Sequence, residues 1–198
     1  MQGIKTIGLA ALVAMALTAF FGAGTAAATA LYSGATKLGA GTQIILSLSG
    51  TAMQATTEGT VLDTCTGGTV KGKTTNTGGP TETVKVNIEE MSWSNCTEPT
   101  MTVAKGSLEI HWTSSLNGTV TAGSVATDIT VNTTIYGSCV FTFSAGSIWG
   151  SLTGSTSGDG VIDINTLWMR KSGLCPATTK WVGTYIVTSP TPLHVTAS

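Results

Sequence analysis

Val84-Lys85-Val86-Asn87-Ile88-Glu89 sets the fold class. Apolar and polar side chains alternate, and a period of two puts one face of an extended chain against a core and the other in water. The six residues lie in Pro80–Lys105, the longest glycine-free stretch after the N-terminal region, and it carries no helical period. Ser107–Trp112 repeats the pattern, with Leu108, Ile110 and Trp112 on one face and Glu109 and His111 on the other. Working outward, strands are expected over Gln43–Ser49, Thr60–Cys65, Thr69–Thr75, Thr100–Ala104, Asp128–Thr134, Ser138–Phe143, Ser147–Leu152, Val161–Asn165 and Lys180–Thr188. Glu58-Gly59, Gly67-Gly68, Gly78-Gly79-Pro80, Asn117-Gly118 and Gly158-Asp159-Gly160 punctuate them. Many short strands with frequent glycine turns predict an all-β domain, an antiparallel two-sheet sandwich or its barrel-like relative.

The start of the chain reads differently. Lys5 precedes the apolar run Thr6–Phe21, and small residues fill 22–30. Such a run falls short of the ~20 residues a spanning helix needs and matches a secretory signal peptide. Ala28-Thr29-Ala30 fits the small-x-small cleavage pattern, and Ala26-Ala27-Ala28 offers a second site two residues upstream. Residues 1–30 are thus expected to be the leader, and 31–198 one secreted domain with no later membrane span. No cysteine sits at the junction to take a lipid anchor.

Without Lys5, eight Lys and Arg face ten Asp and Glu. No basic stripe is present, which argues against nucleic acid or an anionic membrane as partner. Thirty-eight Thr and eighteen Ser must supply the solvated surface, and Thr suits a half-exposed pleat. The hydrophobic share of 41%, spread along the chain with five Trp, is too high for disorder.

Cys65, Cys96, Cys139 and Cys175 all follow the leader. An even count in an exported chain reads as two disulfides, and the wide spacing speaks against zinc. A faint internal repeat favours one of the three connectivities. Shifted by 78 residues, Gly68–Gly72 falls on Gly146–Gly150 and Val84–Asn87 falls on Ile162–Asn165, while Cys96 lands one place from Cys175. Each unit reads as cysteine, strand, glycine turn, strand, cysteine, so Cys65–Cys96 and Cys139–Cys175 are the expected pairs.

Signatures of chemistry are weak. His111 belongs to a solvated sheet face, His194 lies near the C-terminus, and no G-x-S-x-G elbow is present. Glu89-Glu90 is the only adjacent acidic pair. Neighbours on a strand diverge, so a register change near Glu89–Met91 is expected to keep Glu90 out of the core. Residues 155–166 resemble half of a calcium loop through Asp159, Gly160 and Asp163. Ser155 and Thr166 replace its first and last carboxylates, so a turn is expected and no metal. Three N-x-T sequences, at Asn95, Asn117 and Asn132, matter only in a eukaryotic host. Among the tryptophans, Trp112 and Trp181 alternate with core positions. Trp149, bounded by glycines, and Trp168, before Met169-Arg170-Lys171, are the candidates for an exposed sugar-stacking platform.

Several segments taken together carry a resemblance. They are Leu31-Tyr32-Ser33-Gly34-Ala35, Ser94-Asn95-Cys96, the glycine-spaced hairpin after Cys139, and the ending from Cys175-Pro176 through Trp181, Tyr185, Ser189-Pro190-Thr191-Pro192-Leu193 and Val195. The chain resembles small secreted β-rich proteins of actinobacteria, a group with no activity or functional residue to transfer. The resemblance implies fold and export only. The expected role is non-enzymatic and cofactor-free: a secreted or envelope-associated protein that binds cell-wall polysaccharide or another extracellular protein, or serves as a structural component. A hydrolase assembled from distant residues and a protein inhibitor are the alternatives.

Overall fold

The computed structural model describes residues 28–98, 100–103 and 106–198; most of the expected leader, 1–27, and Ala104 lie outside the described residues. The described chain forms fourteen strands: β1 (Ala30–Ser33), β2 (Thr36–Lys37), β3 (Gln43–Thr56), β4 (Val61–Thr74), β5 (Val84–Cys96), β6 (Thr100–Val103), β7 (Gly106–Ser114), β8 (Asn117–Ala122), β9 (Asp128–Thr133), β10 (Gly137–Thr142), β11 (Ile148–Thr153), β12 (Val161–Ser172), β13 (Thr178–Ser189) and β14 (Leu193–Thr196). Eight of them close an antiparallel barrel in the order β3-β4-β5-β7-β8-β11-β12-β13, with β13 returning to β3. The barrel is thus the form the alternation takes, a closed version of the two-layered β architecture.

Alternation places the side chains. Val84, Val86 and Ile88 are buried inside while Lys85, Asn87 and Glu89 are exposed. Ile162, Ile164, Thr166 and Trp168 do the same on β12. Bulges reset the phase where the pattern fails. Between Lys71 and Gly72 the β4–β5 register shifts, so Lys71 faces Glu90 while Gly72 faces Ile88. Glu89 is the extra residue. Glu90 therefore turns outward, its carboxylate 2.7 Å from the Lys71 ammonium, and Met91 turns into the core, as the register change requires.

The internal repeat has a topological meaning. Shifted by 78, the span of β4 covers β10 and β11, and that of β5 covers β12. In the ring of eight, β4 and β11 stand four places apart, as do β5 and β12, β3 and β8, and β7 and β13. The ring thus holds two four-stranded halves with matching strand order, four places apart. Where one half has a continuous strand, the other has it broken. The counterparts of β3 and β4 divide into β8 with β9 and β10 with β11. The pieces β6, β9 and β10 extend from β12 as a continuation of the sheet.

A small sheet, β14-β1-β2, packs across the end where the β7–β8 and β11–β12 turns lie. Val195 N–H donates to Leu116 O at 3.1 Å, and Leu31, Leu193 and Val195 join the core. Both expected disulfides form. Cys65–Cys96 links opposite residues of β4 and β5, and Cys139–Cys175 ties β10 to the β12–β13 connection. Two such bridges suit an oxidising compartment. Among the described residues, no helix is long and apolar enough to cross a membrane.

Candidate functional site

An eight-stranded barrel has an interior just wide enough for side chains or one small ligand. Here side chains fill it. Near the β14-β1-β2 end, Ile44, Leu46, Val86, Ile110, Val120 and Ile162 leave a wholly apolar gap of about 30 Å³. Such a gap is far below the size of ligand pockets.

The other end is filled by aromatics, and here the sequence expectation needs correcting. Trp149 and Trp168 are 2% and 1% exposed, so neither presents a stacking face to solvent. Trp168 stacks on Trp181, centroids 5.2 Å apart and 9° from parallel, and Phe143 meets both Trp168 and Trp149 edge-on. The cause at Trp168 is parity: it continues Ile162, Ile164 and Thr166. At Trp149 it is a bulge between Ile148 and Gly150 in the β11–β8 pairing, with Ile148 exposed and Trp149 buried. Trp181 is buried as expected. Trp93, edge-on to Trp181, donates its indole N–H to the Tyr185 hydroxyl at 2.9 Å.

The calcium-like loop is a turn. The Ser155 hydroxyl accepts from the N–H groups of Ser157 and Gly158, at 3.3 and 2.8 Å. Asp159 and Asp163 accept from Thr191 and Thr184, on different segments. Among the described residues, the grouping with metal-ligand spacing is Asp63 with Cys65 and Cys96, whose sulfurs are committed to the disulfide. Asp63 instead accepts from the Thr97 hydroxyl and the Glu98 N–H at 2.8 and 3.0 Å, pinning the end of β5 to β4.

A hollow with polar groups in its lining lies on the outer wall, over β5, β7 and β8. Lys85, Glu109 and Thr121 stand abreast across these strands. His111 follows Glu109 on the same face, as alternation predicts. Its Nε2 lies 2.9 Å from Thr121 Oγ1 and 4.0 Å from Glu109 Oε2, and Glu109 Oε2 also accepts from the Thr83 hydroxyl at 3.2 Å. Glu109 keeps about a quarter of its side chain exposed and His111 a third.

The broken strands build the walls. Where β8 gives way to β9, Gly123 N–H donates to Ser107 O at 2.7 Å, and Val125 exchanges hydrogen bonds with Ser107. Gly123 has to be glycine, since a Cβ there would lie 2.5 Å from the Ser107 hydroxyl and 3.1 Å from its backbone. Where β10 gives way to β11, Gly146 turns with φ +78° and donates to Ala122 O at 2.7 Å. The result is a two-lobed groove whose lobes share Glu109 and Ser124 in their walls. One lobe, about 300 Å³, holds His111, Thr121 and Gly146. The other, about 270 Å³, holds Thr75, Lys85, Asn87 and Val125. Val125 is half exposed on its rim, and Ile148, more exposed still, lies opposite Thr121.

This set can grip a polar molecule through a carboxylate, an imidazole, an ammonium, an amide and several hydroxyls. It is poorly arranged for nucleophilic catalysis. A base relays a proton when the hydroxyl and the orienting carboxylate sit on opposite ring nitrogens. Here Thr121 and Glu109 both approach Nε2. Sequence reading had His111 and Glu109 on one outer face but could not bring Lys85, Thr121, Ser124 and Gly146 to them, because these arrive from two other strands and two connections. No protein-family model, no curated protein and no solved structure matches the chain.

Proposed function

We propose that this is an exported, non-enzymatic binding protein that takes a hydroxyl-rich ligand, a cell-envelope glycan, in the groove centred on Glu109. The observation that carries the reading is the two-lobed groove itself, lined by a carboxylate, an imidazole, an ammonium, an amide and hydroxyls, with aliphatic groups, Val125 and Ile148, at its edge. Sugars are held by such convergent polar groups with apolar contact to their C–H faces. The packed barrel interior supports an outer site, the expected leader supports export, and the two disulfides support function in an oxidising exterior.

The test is retention of the purified protein on isolated cell wall and titration with soluble glycan oligomers. Glu109→Gln combined with His111→Ala is expected to weaken binding at least tenfold while leaving the melting temperature within about 2 °C, as partly exposed surface changes do. Unchanged binding by the double variant removes the groove from the account. Absence of any glycan binding by the wild type removes the ligand class. Steady turnover of a glycan or ester that Thr121→Val abolishes favours the hydrolase instead.

A further inference from the structure

We infer that leader removal occurs between Ala28 and Thr29, so that the mature protein begins at Thr29. This rests on the export reading. The sequence offers two small-x-small sites, ending at Ala28 and at Ala30, and the cleavage pattern accepts both. The fold distinguishes them.

Thr29 and Ala30 are working parts of the folded domain. Ala30 forms the first rung of the small sheet, opposite Thr196. Thr29 N–H donates to Gly79 O at 3.2 Å, and its hydroxyl accepts from the Trp112 N–H at 3.0 Å, tying β1 to the barrel wall. Its carbonyl presses so closely on Gly78 that a Cβ there would overlap it, and Gly78 holds φ +66°, a conformation that suits glycine. The chain at 78–79 is shaped to receive residue 29. A cut after Ala30 discards that contact, the first rung, and the acceptor for Trp112. A cut after Ala28, which precedes β1, discards none of them.

The chemistry is ordinary hydrolysis by a peptidase of small-x-small preference. Water adds across the Ala28–Thr29 bond. Ala28 leaves as a carboxylate on the leader, and the Thr29 nitrogen takes up a proton as an α-ammonium. That group still points a donor at Gly79 O, so the hydrogen bond of the intact chain survives.

Two measurements decide the matter. The full chain is produced in a secreting host, and the exported protein is read by N-terminal sequencing and intact mass. A start at Thr29 supports the inference. A start at Leu31 overturns it while leaving export in place, and a chain that stays whole in the cytoplasm overturns the export reading and the cut together. Separately, chains beginning at Thr29 and at Leu31 are produced in an oxidising compartment. The shorter one is expected to melt roughly 5 °C lower. Equal melting temperatures overturn the structural argument.

Discussion

Tyr185 shows how a single side chain can report on the core. Its ring is fully buried, its hydroxyl accepts from Trp93, and burial drives the phenol pKa above its ordinary 10.0. The sign follows from proton linkage. Below pH 10 both the folded and unfolded phenols are neutral and the contribution is intact. As pH rises past 10 the unfolded chain ionises first, and stability falls until the folded phenol ionises too. Phenolate absorbance is expected to show a delayed ionisation coinciding with unfolding, and Tyr185→Phe is expected to remove that delayed step. A Tyr185 that ionises freely in the folded protein contradicts its burial. Trp168 gives the complementary case. Trp168→Ala is expected to cost about 3–5 kcal/mol by leaving a cavity beside Trp181 and Phe143. Glycan retention, measured below the lowered melting temperature, is expected to persist. Lost retention in a still-folded variant restores Trp168 as part of the site.

At the scale of strands, period-two alternation located β7 and the first parts of β5 and β12, where each buries one clean face, but the expected strand at 161–165 stops short of the end of β12 at Ser172. Alternation failed where a bulge or a break intervenes. Trp149 was assigned to solvent because the register shift beside Ile148 is a backbone event with no residue signature. Gln54 interrupts the alternation of β3 yet is buried, donating to the Thr179 hydroxyl at 3.0 Å across to β13, a partner 125 residues away. The groove was out of reach for the same reason, since its depth comes from the loops at 123–127 and 143–147 leaving the barrel wall. The bridges were more legible. The repeat suggested their pairing, and the two lie on opposite halves of the ring. Because Cys65–Cys96 links neighbouring strands whereas Cys139–Cys175 fastens β10 to a connection, both are expected to matter separately. Replacing either pair by Ser is expected to cost about 2–5 kcal/mol, read by denaturant unfolding. A loss well under 1 kcal/mol for either pair contradicts its role as a clip.

For the whole molecule, one half of the ring is bare and the other decorated, because only the second half breaks its strands. The half holding β3, β4 and β5 keeps its long strands, and the other spends the same length on β8 with β9 and β10 with β11. The breaks open the hollow that β5 and β7 line from the first half. Asp128, just past one break, is held to Lys171 on β12 at 2.5 Å, and this hydrogen bond lowers the carboxyl pKa. The added sheet is thereby fastened to the barrel most firmly above the range where that carboxylate protonates, and less so in acid. A symmetric plan with an asymmetric elaboration is also why composition alone said so little about role. Function, on the present reading, resides in the departures from the repeat.

The pairing of β1 with β14 has a mechanical consequence. Ala30 and Thr196, at opposite ends of the described chain, face each other in the first rung of one antiparallel ladder. A load drawn between the two termini would fall on a single rung at a time, opening the ladder like a zip from 30 and 196 inward. Load applied at one terminus alone would leave the ladder slack. The architecture therefore yields readily when residues 30 and 196 are drawn apart, one rung at a time.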